Sequence, residues 1–181
     1  MTIRKAMFLG ILSTLLAIFI ATGCSSLLTG TKVISFMVGG DDINTADELS
    51  YFQVNLTDDD VWKDHKDDIK NIDNVGFILW FDTTSDDVTG EFYIAPFDSI
   101  GYLTSAEVAA KATKILENIE LPAGVATYVD WSGSLGHIVN VSILKNYAEE
   151  GKFTIYGITT TLPFEMEIDS AMVVVTVTVG T

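Results

Sequence analysis

The chain has 181 residues, with 25 Asp plus Glu against 10 Lys plus Arg, a formal net charge of −15. That balance repels phosphate backbones and excludes nucleic-acid binding, while the length suits one domain with a real core rather than two. A single cysteine excludes an internal disulfide, so the fold has to be held by packing.

The chain opens with Arg4 and Lys5, then runs without charge from Ala6 to Gly23 through Ile, Leu, Phe and Ala, and reaches its only cysteine at Cys24. A basic start, an apolar stretch and small residues before a cut is the layout of an export signal. The segment Ile20-Ala21-Thr22-Gly23-Cys24 resembles the lipobox of bacterial lipoproteins, with Ala21 standing where leucine is usual. The resemblance covers residues 1–24 only. It implies cleavage before Cys24, acylation of that cysteine and a stable lipid anchor through several acyl chains. Ser25 after the cysteine implies, in a Gram-negative envelope, the outer membrane. An uncleaved transmembrane span over Ala6 to Gly23 is the alternative reading.

Cleavage would remove Arg4, the only arginine, and Lys5, leaving eight lysines against 25 acids and a formal charge of −17. Without arginine the planar clamp for phosphates and carboxylates is missing, which argues against enzymes of phosphorylated substrates. With Cys24 acylated, thiol chemistry is excluded as well.

Residues 24–31 read as the lipidated cysteine and a short tether, and residues 32–181 as a single domain. Val33 to Val38 predicts a strand ended by Gly39-Gly40-Asp41-Asp42, and Leu49 to Leu56 alternates in the period of a second. Asp58 to Lys70 has helical spacing with acids at its start. Val75 to Phe81 is an almost unbroken apolar run, too short for a helix, and predicts a core strand buried on both faces, Trp80 included. Glu91 to Ala95 makes a further strand, stopped by Pro96. Thr104-Ser105-Ala106-Glu107 forms a capping box, and Val108, Ala112, Ile115 and Ile119 repeat at helical spacing, which predicts a helix to about Glu120. Val125 to Trp131 returns to strand character, Leu135 to Tyr147 fits a helix, and Phe153 to Thr160 and Ala171 to Val179 are the last strands. In the final one Val173, Val175, Val177 and Val179 share a face.

Seven strands without regular alternation with helices predict a mainly β fold, an antiparallel two-sheet β-sandwich, Ig-like in general architecture, carrying two or three helices. The uncharged C-terminal strand would be an open edge inviting strand addition unless it is paired inside the domain.

The candidate sites are few. Asp82, Asp86 and Asp87 in one turn are first choice for a calcium site, since calcium takes many oxygen ligands, although no EF-hand spacing is present. Trp131, beside Asp130 and the flexible Ser132-Gly133-Ser134, is the aromatic ring most expected to meet a ligand, a sugar above all. His65 has carboxylates nearby and His137 follows a glycine, but neither has a recognisable nucleophile. Paired acids for a hydrolase would be Glu165 with Glu167, or Asp58 with Asp60. The leading expectation is a non-catalytic, lipid-anchored envelope module that binds a protein or a glycan, with no cofactor unless calcium.

Overall fold

In a computed structural model the described residues are 29–37, 42–45, 49–82, 84–102, 104–159 and 164–180. The signal segment, Cys24 and the tether up to Leu28 lie outside them.

Among the described residues nine strands form two sheets. They are β1 (Thr29–Met37), β2 (Asp42–Thr45), β3 (Leu49–Asn55), β4 (Ile69–Phe81), β5 (Val88–Pro96), β6 (Thr113–Leu121), β7 (Thr127–Val129), β8 (Lys152–Thr159) and β9 (Phe164–Gly180). The larger sheet has the order β1-β9-β4-β7, with β2 also on β9, and the smaller has β3-β8-β5-β6. All these strand pairs are antiparallel.

Alternation along the strands explains the two layers. Ile34 and Phe36 of β1, Val75, Phe77, Leu79 and Phe81 of β4, and Val173, Val175 and Val177 of β9 turn inward from the larger sheet and are buried. Val54, Ile94, Phe153 and Ile155 meet them from the smaller sheet in one cluster. Each such side chain removed from water contributes about 1.5–3 kcal/mol. The mainly β, two-sheet antiparallel architecture expected from the sequence is therefore the one observed.

Among the described residues there are four short α-helices: α1 (Asp60–His65), α2 (Ser105–Lys111), α3 (Trp131–Leu135) and α4 (Val141–Glu150). From α4, Leu144 and Ala148 enter the shared core. Trp62 of α1 is buried too, its ring centroid 6.0 Å from that of Phe36 in an edge contact.

Several sequence expectations are corrected. The capping box at Thr104 is real, with Thr104 Oγ1 accepting from Glu107 N at 3.2 Å, but the helix stops at Lys111 and residues 113–121 are strand β6. Pairing to β5 overrides local helical spacing there, because β5 would otherwise present a bare edge. The helix expected over Leu135 to Tyr147 is split. Between α3 and α4 the chain runs extended beside β6, with Glu117 N donating to His137 O and Val139 N donating to Ile115 O. Of Asp58 to Lys70 only Asp60–His65 is α-helical, flanked by 3-10 turns, and Ile69 already belongs to β4. Asp42, read as part of a turn, opens β2. The C-terminal strand is no open edge either: β1 holds one side of β9 and β4 the other, so strand addition there is ruled out.

Candidate functional site

The two sheets differ in what covers their outer faces. On the smaller sheet Tyr93, Ala95 and Tyr156 point outward, and Val108 of α2 packs on them in a second, separate cluster. Tyr102 adds a ring stacked on Tyr156 at 5.1 Å between centroids. That face is roofed.

The outer face of the larger sheet is covered by α3 where Trp131 lies on Gly76 beside the buried Val174, and is open over the rest of its described residues. Opposite parity to the buried set puts Gly76, Ile78 and Trp80 of β4 outward, beside Met172 and Val174 of β9 and Val33 and Met37 of β1. Met172 pairs with Met37 on one side and with Ile78 on the other, which lays an apolar row across three strands. Trp80 stands opposite Tyr128 of β7, ring centroids 5.3 Å apart. Val33 is 67% exposed, Met37 66% and Tyr128 56%, while Ile78, Trp80 and Met172 are half-buried. Large apolar side chains gathered on one open face mark an interaction surface far more often than single exposed ones do.

Trp80 is thus corrected from a core residue to part of this face. Gly76, at the middle of β4, admits Trp131 instead of a side chain of its own. An ideal Cβ at position 76 would lie 2.6 Å from Trp131 Nε1 and 3.1 Å from Ser134 Oγ. Ser134, fully buried, accepts from Phe77 N at 2.9 Å and donates to Trp131 O at 2.8 Å. In this way α3 caps the stretch of β4 that β7 is too short to reach. Trp131, expected as the ligand-facing ring, is half-buried, and its indole nitrogen is enclosed against β4.

Acids flank the face. Asp82 is exposed directly after the end of β4, and Asp130 follows β7 two residues after Tyr128, capping α3 by accepting from Gly133 N at 2.6 Å. At the other end Asp73 accepts from Thr178 Oγ1 at 2.8 Å. Hydrogen bonds from Thr178 and Asn71, with a smaller contribution from the charge of Lys145, hold the Asp73 carboxyl below its ordinary value of 3.8, so it stays charged across physiological pH. None of the outward residues of β1, β4, β7 and β9 between these acids is a lysine. Lys32, of inward parity on β1, reaches His65 at 3.3 Å instead.

The remaining sequence candidates are dispersed. Asp86 Oδ2 accepts from Ser85 Oγ at 3.0 Å and Asp87 Oδ1 accepts from Ala123 N at 2.9 Å, which ties the Asp82 to Asp87 turn to the loop before β7. Among the described residues no group of three Asp, Glu, His or Cys side chains is placed to hold a metal ion. Asp60 is ion-paired with Lys63 at 3.1 Å, and Asp58 accepts from Asn55 in the turn before α1. Glu165 and Glu167 sit on β9 opposite Asn44 and Asp42 of β2. His137 Nδ1 donates to Glu117 O at 3.1 Å, a link that holds its loop along β6.

No known family matches the sequence, and no curated protein matches it. Solved structures give distant likenesses. The chain is similar to the protein of infectious bursal virus-derived T=1 particles at 12% identity and a TM-score of 0.40, over 83% of this chain and 32% of that one. It is similar to a Desmodium yellow mottle tymovirus chain at 9% identity and a TM-score of 0.33, over 84% and 88%. It is also similar to dimeric latent PorU from Porphyromonas gingivalis at 8% identity and a TM-score of 0.34, over 87% and 14%. The chain thus spans about a third of the first of these, and at such scores none bears on what it does.

Proposed function

We propose that this chain is a non-catalytic binding module of the bacterial cell envelope, tethered to the membrane through acylated Cys24 and working through the outer face of its larger sheet. The observation that carries the reading is the contrast between the two faces: one sheet is roofed by α2, the other presents Met37, Met172, Ile78, Trp80 and Tyr128 to its surroundings. Leaving such a surface wet costs solubility, and a binding surface is its commonest reason. The lipobox-like segment supports the tether, since Cys24 precedes β1 by only Ser25 to Leu28 and would hold the domain close to the bilayer.

Intact mass of the protein extracted from membranes tests this reading. A mass equal to residues 24–181 plus lipid is the expected result. A full-length mass without lipid would remove the tether and leave a transmembrane anchor in its place.

A further inference from the structure

Resting on the reading of the chain as a binding module, we infer that the outer face of the larger sheet docks a partner protein whose contact surface is apolar at its centre and basic at its rim. Two features select this occupant. The first is the apolar row from Met37 through Met172 and Ile78, extended by the Trp80–Tyr128 pair, which needs an apolar counterpart. The second is the rim, where Asp73, Asp82 and Asp130 supply negative charge that Lys145, near Asp73, offsets only in part. Apolar centres with polar rims are the anatomy of protein interfaces, and matched rim charge steers the encounter and rejects wrong partners.

The same features disfavour the other occupants. A second copy would bring the same acidic rim and the same formal charge, −17 once Arg4 and Lys5 are cleaved off, against this one. An anionic lipid surface would be repelled by the rim as well. A neutral glycan would use the aromatic pair but gain nothing from three carboxylates.

The probe is a pair of synthetic peptides, one alternating leucine with lysine and the other leucine with glutamate, added to the membrane-extracted protein in zwitterionic lipid vesicles. Tryptophan fluorescence and co-sedimentation report binding. The lysine peptide is expected to bind, more weakly as salt is raised, and the glutamate peptide is not. Val33→Thr, Met37→Thr and Tyr128→Ser together keep strand-forming or exposed positions and should weaken that binding about tenfold or more. Tyr128→Ser alone serves where the triple change fails to fold.

Equal binding of both peptides, or binding that these changes leave intact, overturns the inference. So does cross-linking of the wild type into dimers that the changes abolish, which would assign the face to a second copy. Retention on insoluble peptidoglycan, lost in the same variants, would assign it to a glycan. The tether stands or falls apart from this: a chain without lipid that still binds the lysine peptide keeps the face, and a lipidated chain that ignores it loses the face alone.

Discussion

Trp131 Nε1 occupies the place a side chain at Gly76 would need, 2.6 Å from where its Cβ would lie, so the glycine in the middle of β4 and the first residue of α3 are fitted to each other. Gly76→Ala should therefore destabilise the fold by about 1–3 kcal/mol, the usual cost of forcing extra volume into a packed contact. Urea denaturation measures it. The penalty should shrink in a Trp131→Leu background, because the ring edge that meets the new methyl is gone, and a double-mutant cycle would report the coupling. An unchanged penalty would show that the two positions are independent.

Ser134 performs a second task in the same contact. The Phe77 amide, buried and beyond the reach of β7, finds its acceptor in Ser134 Oγ at 2.9 Å. Ser134→Ala leaves a buried donor without a partner, which costs about 1–3 kcal/mol. Hydrogen exchange at the Phe77 amide is the direct check: it should accelerate more than the amides of the β4–β9 ladder on the other side of the strand. A stability unchanged within error would mean that water replaces the hydroxyl there.

On the roofed sheet, Glu91 is gripped from two sides, by Lys114 Nζ at 2.8 Å and by the Tyr93 hydroxyl, which donates at 2.8 Å. Burial raises its carboxyl, but the hydrogen bonds from Lys114 and Tyr93 and the lysine charge outweigh that and hold it below its ordinary 4.5. A carboxylate lowered on folding stabilises the protein above its unfolded value and loses that contribution as pH falls through the folded one. Lys114 is raised above 10.5, first by its hydrogen bond to Glu91 and against the opposing effect of burial. Its contribution is complete below the unfolded value and disappears as pH rises through the folded one. Glu91→Gln should lower stability at neutral pH, and its difference from wild type should shrink as pH falls below 4.5 and close toward zero once pH is below the lowered folded value. Thermal melts across the acid range test this, and a difference constant with pH would contradict it.

How much of this was legible in the sequence depended on whether burial wrote a period into it. Val173, Val175 and Val177 recur at every second position, with Thr176 and Thr178 marking the opposite face, and they are buried in the inner face as that period demands. The run Val75 to Phe81 is different. It is apolar at every position, so it reads as buried on both faces, and nothing in the run itself tells that α2 will roof the other sheet and leave Ile78 and Trp80 open. Gly76 was the available signal, since a glycine inside a strand marks a close approach, here by Trp131. The acidic turns were visible but uninformative, because carboxylates that cap helices and tie loops look the same in sequence as ligands. The open face drew residues from four strands distant in the chain, which no local pattern could join.

The sharpest conflict between local spacing and final structure lies at Asn118. Residues 104–121 carry a capping box and helical spacing, yet the chain leaves the helix at Ala112 and pairs with β5 as β6. To keep Leu116, Ile119 and Leu121 all buried against the inner face, the strand must take up an irregularity, and the pairing shifts between Gly90 and Phe92. Asn118 sits opposite that shift with φ of 58°, in the left-handed region that asparagine tolerates better than most residues. Asn118→Val should therefore cost about 1–2 kcal/mol, although its side chain is exposed and valine favours strands, because a β-branched residue is strained at that angle. Asn118→Gly should be neutral or stabilising at the same site. Chemical denaturation of the pair separates the two forces acting here: a valine variant as stable as wild type would mean that strand propensity, not the backbone angle, governs this bulge.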